Sequence, residues 1–179
     1  MKLKNESYEV TVTIDSTYTL DSADNSISYD HEYNPRNYKK SDLYSTFCIR
    51  NLHNGIESLT ALTGSHYCYD MNCAVLDNNV LTVLQNDFIT KIDLDTNGII
   101  STQEIPESII NYSIHRIPGG LVICGEMEIL GLDQNCNVIW RKGSKDIITD
   151  FKILENSIVY HDDSGTDHRI NFDGSDIEQ

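Results

Sequence analysis

The sequence contains little positive charge, little proline and no long apolar segment. Its 13 lysines and arginines face 28 aspartates and glutamates, which gives a formal net charge of −15. Such a charge repels phosphate backbones and anionic membrane surfaces, so direct binding to nucleic acid or to a membrane is not expected. No apolar run approaches the roughly 20 residues of a membrane-spanning helix. The class of partner that this charge favours is a basic protein.

Paired cysteines are missing as well. The five cysteines are an odd number, and none of them belongs to a C-x-x-C motif. A disulfide framework is therefore not indicated, and we expect free thiols in a reducing cytoplasm. The opening residues, MKLKNES, lack the apolar segment of a secretory signal, which also favours a cytoplasmic location.

Signatures of the common enzyme classes are absent too. The sequence has no G-x-S-x-G nucleophile elbow, no P-loop and no G-x-G-x-x-G motif. The six histidines are scattered along the chain rather than grouped around a nucleophile. We therefore expect a protein that is not an enzyme and that needs no cofactor.

Four short segments that resemble one another recur along the chain. Each consists of an apolar residue and a turn rich in Asp, Asn or Gly, and the leading residues, Leu52, Leu94, Leu132 and Phe172, are 42, 38 and 40 positions apart. The apolar and alternating runs before these turns, such as 80–84 and 88–94, are typical of β-strands. A strand-rich period near 40 predicts a chain of repeated β-sheets.

This pattern resembles the blades of β-propellers of the WD-repeat and PQQ-type families over roughly residues 43–175. Trp140, after Val138 and Ile139, is similar to the end of a PQQ-type blade, whereas the Gly-His and Trp-Asp marks of WD repeats are absent. The resemblance implies an all-β fold, either a small β-propeller or a propeller-like array of about four antiparallel sheets.

We expect one domain over residues 1–179. The predicted blades cover roughly 8–62, 68–104, 109–142 and 147–179. The last blade has a short or missing fourth strand, so its edge is expected to pair with the N-terminal segment or with another chain, which would form a homo-oligomer.

Acidic residues recur at one kind of hairpin, the one between the second and third strands of each predicted blade. In the first blade the long polar segment 30–42 is interpreted as an enlarged tip of this kind. Because equivalent hairpins emerge on one face of a blade array, we expect an acidic, tyrosine-bearing face that binds a partner. The predicted partner-binding residues are Asp30, Glu32, Tyr33, Tyr38, Asp87, Glu126, Glu128, Asp162, Asp163 and Asp167.

The leading hypothesis is a non-enzymatic module that binds a basic protein such as a nuclease toxin domain. In size and charge the chain is similar to small acidic bacterial immunity proteins, which implies an immunity or antitoxin type of inhibitor. The alternatives are a propeller-type scaffold for a peptide or small ligand, a calcium-binding protein, and a hydrolase whose active site has no recognisable motif.

The calcium alternative rests on residues 93–104. This segment has oxygen ligands and a glycine at the spacing of an EF-hand loop: Asp93, Asp95, Asn97, Gly98 and Glu104. An EF-hand needs a helix on each side, which the β-branched residues before the segment and Pro106 after it disfavour. The preferred interpretation is therefore a turn between two strands.

Two further groups contain residues that can bind metals. One is segment 161–168, and the other consists of His66, Cys68, Asp70 and Cys73. The first has the composition of a polar hairpin tip, and the second lacks the second ligand pair of a zinc site. No metal site is predicted.

Overall fold

A computed structural model describes residues 1–65, 72–108 and 110–177 of the chain. Within these ranges sixteen strands form four sheets, there is no α-helix, and every strand pairing is antiparallel except one. It follows that no helix in this part of the chain could span a membrane. The predicted all-β fold of four antiparallel sheets is confirmed.

The first sheet has five strands in the order β1-β2-β4-β5-β3. These are β1 Lys2–Lys4, β2 Tyr8–Ile14, β3 His31–Tyr33, β4 Ser45–His53 and β5 Ile56–Gly64. The second sheet has four strands in sequence order. These are β6 Ala74–Asp77, β7 Val80–Leu84, β8 Phe88–Asp93 and β9 Gly98–Glu104.

The third and fourth sheets also follow sequence order. The third comprises β10 Asn111–Ile117, β11 Gly120–Gly125, β12 Glu128–Leu132 and β13 Val138–Gly143. The fourth comprises β14 Ile148–Ile153, β15 Ile158–Asp162 and β16 Asp167–Ile170. The fourth sheet has three strands in the described residues, and beside β16 there is one isolated antiparallel bridge, between Ile170 and Asp176, where the other sheets have a fourth strand. Edge pairing between two chains stays a prediction.

The sheets belong to two compact units, Met1–Glu104 and Ile105–Gln179. In the first unit, buried residues of the first sheet, such as Phe47, share a core with residues of the second sheet, such as Leu81. In the second unit, Val122 of the third sheet and Tyr160 of the fourth sheet belong to one core. The prediction of one domain over 1–179 stays a prediction, and the predicted blade limits at 68, 109 and 179 lie outside the described residues.

The long connection between β2 and β4 differs from the sequence-based interpretation. Segment 30–42 is not an enlarged hairpin tip, because its residues His31–Tyr33 form β3 and pair in parallel with β5, with Glu32 opposite Ala61. This pairing occupies backbone groups of β5 that an edge strand would otherwise leave open. Other parts of the connection pack in an aromatic cluster on the same sheet, formed by Tyr18, Leu20, Tyr29, Tyr38, Tyr44 and Ala61.

A capping aspartate recurs in three of the four repeats, at Asp93, Asp133 and Asp173. Each carboxylate accepts a hydrogen bond from the backbone N–H two residues further along. The N···O distances, from Asp95, Asn135 and Ser175, are 2.9, 2.8 and 2.9 Å. These Asx turns end the third strand of each sheet and start the return of the chain. These three aspartates are 40 residues apart in both intervals. In the second repeat the capping residue, Asp93, precedes the leading Leu94, whereas alignment of the leading residues would place Asp95 at the position of Asp133 and Asp173.

The first repeat closes with a two-residue hairpin instead. Asn54 and Gly55 both have positive φ, 51° and 78°, which is the type I′ conformation. This turn suits the right-handed twist of the paired strands β4 and β5, and Asn-Gly is the dipeptide that adopts it most readily.

Trp140 links the two sheets of the second unit. Its indole N–H donates a hydrogen bond of 3.0 Å to the carbonyl oxygen of Phe172. The ring packs against Gly131 on the neighbouring strand and against Gly174, where added Cβ atoms would lie 2.0 and 2.8 Å from ring atoms. The two glycines therefore provide the space that the indole occupies.

A similar link joins the two sheets of the first unit. The Asn51 side-chain amide donates a hydrogen bond of 2.8 Å to the carbonyl oxygen of Leu94. Leu94 and Phe172 are the leading residues of their repeat segments. In both units, therefore, the backbone carbonyl at this repeat position accepts the hydrogen bond that links the two sheets.

We expect Gly131→Ala to lower the free energy of unfolding by about 1–3 kcal/mol, because the new methyl group would overlap the Trp140 ring. Urea unfolding followed by fluorescence measures this directly, since Trp140 is the only tryptophan of the chain. Gly143→Ala is the control: nothing lies within 4 Å of the added Cβ, and a change below about 0.5 kcal/mol is expected. Equal effects of the two substitutions would contradict the packing role of Gly131.

Candidate functional site

The acidic hairpins lie between the second and third strands of three sheets. The connecting residues are 85–87 in the second sheet, 126–127 in the third and 163–166 in the fourth. Asp87, Glu126 and Asp163 lie in these turns. Their role in partner binding stays a prediction, and their contacts divide the predicted residues into two groups.

Asp87 is neutralised within the first unit. Both of its carboxylate oxygens accept hydrogen bonds from Nη1 of Arg36, at 2.7 and 2.8 Å, and both side chains are more than two-thirds buried. The guanidinium also lies over the rings of Tyr38 and Phe88, 5.9 and 5.3 Å from their centroids. Asp87 therefore fastens the long connection to the second sheet and presents little free negative charge.

The other predicted residues of the first unit also have structural partners. Asp30 accepts a hydrogen bond of 2.8 Å from the backbone N–H of Leu59, and Glu32 accepts one from the Tyr18 hydroxyl. The Tyr33 hydroxyl donates to the carbonyl oxygen of Asn97 at 3.1 Å. These bonds and the ring of Tyr38 hold the long connection in place, so segment 30–42 belongs to the first sheet and is not a hairpin tip. A role of its exposed carboxylates, Asp30 and Glu32, in partner binding stays a prediction.

Asp162 is also structural, since it is only 1% exposed. Its carboxylate accepts hydrogen bonds from the Ser164 hydroxyl at 2.5 Å, from His168 Nε2 at 2.8 Å, from the Thr166 backbone N–H and from the Ser144 hydroxyl. These bonds, first that from Ser164 and then that from His168, hold the pKa of Asp162 well below its usual value. The carboxylate organises the β15–β16 hairpin and is not available to a partner.

Glu128 has two partners beside the third sheet. Arg141 Nη1 donates to one carboxylate oxygen at 3.0 Å, and the Ser108 hydroxyl donates to the other at 2.9 Å. The other three predicted acidic residues of the second unit have fewer contacts; they are Glu126, Asp163 and Asp167. Asp167 lies 2.8 Å from Nδ1 of His161. Glu126 accepts a hydrogen bond of 3.3 Å from the Tyr112 hydroxyl.

Residues 144–147 bring the acidic hairpins of the third and fourth sheets together. The backbone N–H groups of Ser144 and Ile148 donate to the carbonyl oxygens of Met127 and Glu126, both at 2.7 Å. The N–H of Asp163 donates to the carbonyl oxygen of the intervening residue 147 at 2.9 Å. We call this connected surface, residues 126–127, 144–147 and 163–167, the acidic ridge. It has four carboxylate side chains, from Glu126, Asp146, Asp163 and Asp167, against one lysine.

A cavity of about 200 Å³ adjoins the ridge. It is lined by Glu107, Ile110, Glu126, Met127, Glu128 and Gly143. Sequence reasoning missed Glu107, because this residue lies in the connection before the third sheet rather than in a hairpin. The only local sign was the turn that Pro106 favours, in which Glu107 adopts a positive φ of 61°.

Segment 93–104 does not form an EF-hand-like loop. Asp93 and Gly98 pair at one end of the β8–β9 hairpin, while Glu104 pairs with Phe88 at the other end. Seven extended residues place Glu104 roughly 20 Å from the turn, so it cannot complete a ligand shell with Asp93. Asp95 accepts hydrogen bonds from the Tyr8 hydroxyl and from Asn79, and its proximity raises the pKa of Tyr8 to about 12. The interpretation as a turn between strands is confirmed.

The two other groups of residues that can bind metals also give no metal site among the described residues. In segment 161–168, Asp162 points its oxygens at protein donors, as described above. His66, Cys68 and Asp70 lie outside the described residues. Among the described residues, no group of three or more His, Cys, Asp or Glu side chains is arranged to hold a metal ion.

The bonds to Asp162 predict a pH dependence of stability. Because its pKa is lower in the folded chain, the charged carboxylate contributes stability above the usual value of 3.8, and this contribution is lost as the pH falls below it. Urea unfolding between neutral and acidic pH should therefore show a decline in wild type that is smaller in Asp162→Asn. Asp163→Asn removes the same charge from an exposed neighbour and should keep the wild-type profile; if the two variants behave alike, the Asp162 network does not stabilise the fold.

We expect no specific calcium site at 93–104. Titration calorimetry should show the same small heats for Ca²⁺ and Mg²⁺, and neither ion should shift the thermal midpoint specifically, because the acidic ligands lie at opposite ends of a hairpin. One-site calcium binding that Asp93→Asn abolishes would overturn this expectation.

No protein-family model matches the chain, and no curated protein matches its sequence. Among solved structures it is similar to BamB from Moraxella catarrhalis, a β-propeller, with 11% identity and a TM-score of 0.53 over 75% of this chain and 46% of that chain. It is also similar to the computationally designed Ika8 protein, with 11% identity and a TM-score of 0.53 over 78% of this chain and 46% of that chain. The chain thus spans a little under half the length of either structure. At this identity the likeness concerns the fold alone, and the fold of the chain is propeller-like.

Proposed function

We propose that this chain is a non-enzymatic protein-binding module that binds a basic protein through the acidic ridge. The observation that carries the proposal is the connection of two acidic hairpins by residues 144–147 in the second unit. This connection places carboxylates of two different sheets side by side. Lys145 is the one lysine or arginine of the ridge, and the His161 ring contacts Asp167 at its border.

Electrostatics favours a cationic partner for this surface. The whole chain has a net charge of −15, so its field attracts a basic protein from a distance, and the ridge supplies the local complement at contact. Met127 and Ile147, 44% and 42% exposed, add apolar area among the carboxylates. Interfaces of this kind combine charge at the rim with a few apolar anchors.

The finer form of the proposal is an immunity or antitoxin type of inhibitor. A cationic nuclease toxin exposes a surface adapted to phosphate groups, and a ridge of carboxylates presents a similar arrangement of negative charge. The proposal includes a cytoplasmic location, which agrees with the absence of disulfides among the four described cysteines. It includes no direct binding to nucleic acid or to a membrane.

A second candidate is a scaffold that binds a peptide or a small ligand. The cavity of about 200 Å³ beside the ridge favours it, because an open concave site of this size can hold one side chain of a peptide or a small fragment. The two candidates differ in salt dependence: a contact formed by charged surfaces weakens as ionic strength rises, whereas enclosure in a cavity depends on it less.

The test is recovery of a basic protein by the immobilised chain at low and at high ionic strength, followed by kinetics with the purified partner. The Debye length falls from about 10 Å at 0.1 M salt to about 3 Å at 1 M, so recovery should fall as salt rises. The variant Glu126→Gln/Asp163→Asn/Asp167→Asn should slow association at least about tenfold at low salt.

A matched control loses the same number of charges outside the acidic ridge. It is Asp21→Asn/Asp24→Asn/Glu155→Gln, which should associate at close to the wild-type rate. Equal rates for the ridge variant and the control, or a partner whose binding is indifferent to salt, would reject the ridge as the binding surface.

A further inference from the structure

The cavity beside the ridge has walls of two kinds. Ile110 and Met127 contribute apolar surface, and the glutamates at 107, 126 and 128 contribute carboxylates. Gly143 lies on the wall without a side chain, so nothing from this position fills the space. An apolar wall with carboxylates suits a ligand that is both cationic and partly apolar.

Only one of the three carboxylates at the cavity is paired with a cation in the described part of the chain. Glu128 is paired with Arg141, but in the described part of the chain no lysine, arginine or histidine pairs with Glu107 or Glu126. Glu126 accepts one hydrogen bond from the Tyr112 hydroxyl at 3.3 Å. Two negative charges therefore remain at the cavity for a ligand to neutralise.

Arg141 shows what kind of group this place accepts. Its guanidinium donates to the Glu128 carboxylate from Nη1 and to the carbonyl oxygen of Pro106 from Nη2. Pro106 directly precedes Glu107 in the chain, and Glu128 lines the cavity together with Glu107. A guanidinium is thus already held at the rim by one carboxylate and one backbone carbonyl.

We propose that the cavity binds the side chain of an arginine that the basic partner inserts beside Met127. The guanidinium is planar, weakly hydrated and able to donate to two carboxylates at once, and its methylene stem can lie along Met127 and Ile110. This inference rests on the proposed function, since it names the residue of the partner that the ridge positions over the cavity.

Lysine fits the same place less well. Its ammonium group is a strongly hydrated point charge that cannot form a planar pair of bonds to separated carboxylates. An uncharged ligand would leave Glu107 and Glu126 without a cation while covering them from water, which is unfavourable. Arginine therefore should bind ahead of lysine, and its uncharged analogue citrulline should not bind.

The test uses three short peptides, acetyl-Gly-Arg-Gly-amide and its lysine and citrulline counterparts, titrated into the ¹⁵N-labelled full chain. The arginine peptide should shift the amide signals of Met127, Glu128 and Gly143 in a saturable way. The lysine peptide should bind more weakly, and the citrulline peptide should produce no saturable shift at these amides.

The variant Glu107→Gln/Glu126→Gln should weaken arginine binding at least tenfold, whereas Asp24→Asn/Glu155→Gln, with the same loss of charge elsewhere, should bind as wild type does. Unchanged binding by the cavity variant, or shifts spread over all acidic surfaces and equal for arginine and lysine, would overturn the inference. The comparison of arginine with citrulline needs no variant, so it decides the matter even if a variant misfolds.

The outcome is separate from that of the partner experiment. Salt-sensitive capture of a basic protein together with no arginine binding would reject the cavity alone. Saturable arginine binding without any basic protein partner would keep the cavity as an arginine site, but it would reject a basic protein partner as the source of that arginine.

Discussion

The hydrogen bond from the Trp140 indole to the Phe172 carbonyl, with the packing of the ring between two glycines, determines how the third and fourth sheets meet. The acidic ridge depends on that junction, because residues 144–147 follow the strand of Trp140 and contact hairpins of both sheets. A change that moved the sheets apart would separate the carboxylates without altering any of them. The acidic ridge is thus a consequence of core packing in the second unit and cannot be assigned to one loop.

The acidic residues fall into two classes with different physical roles. Asp87, Glu128 and Asp162 accept hydrogen bonds from within the chain, and the bonds to them hold hairpins and connections in place. Glu126 and Asp163 lie in turns whose backbone is already fixed by other contacts, so their charge is available to the surroundings. Some of the many acidic residues therefore stabilise the fold, and others contribute to the negative electrostatic potential around the protein.

Local sequence signals predicted the strands and hairpins but not their distant partners. The alternation in β8 and the apolar run of β7 mark strands, because the side-chain period is local. By contrast, β3 becomes a strand only through pairing with β5, which its own three residues do not encode. Likewise, no sequence pattern distinguishes the buried carboxylate of Asp162 from the exposed one of Asp163. The difference appears only when the fold brings Ser144 and His168 to Asp162, beside its local donors Ser164 and Thr166.

The parallel pairing of β3 with β5 has a consequence for the chain entropy that folding must overcome. The partner of His31 is Thr60, about 30 residues later in the chain, and the β4–β5 hairpin between them is closed by a local turn. The pairing of β3 with β5 therefore closes a longer loop than the β4–β5 turn does, and its formation costs more chain entropy. Arg36 lies in the same connection as β3, so one segment of the chain supplies both the edge strand of the first sheet and the ion pair to Asp87 of the second sheet.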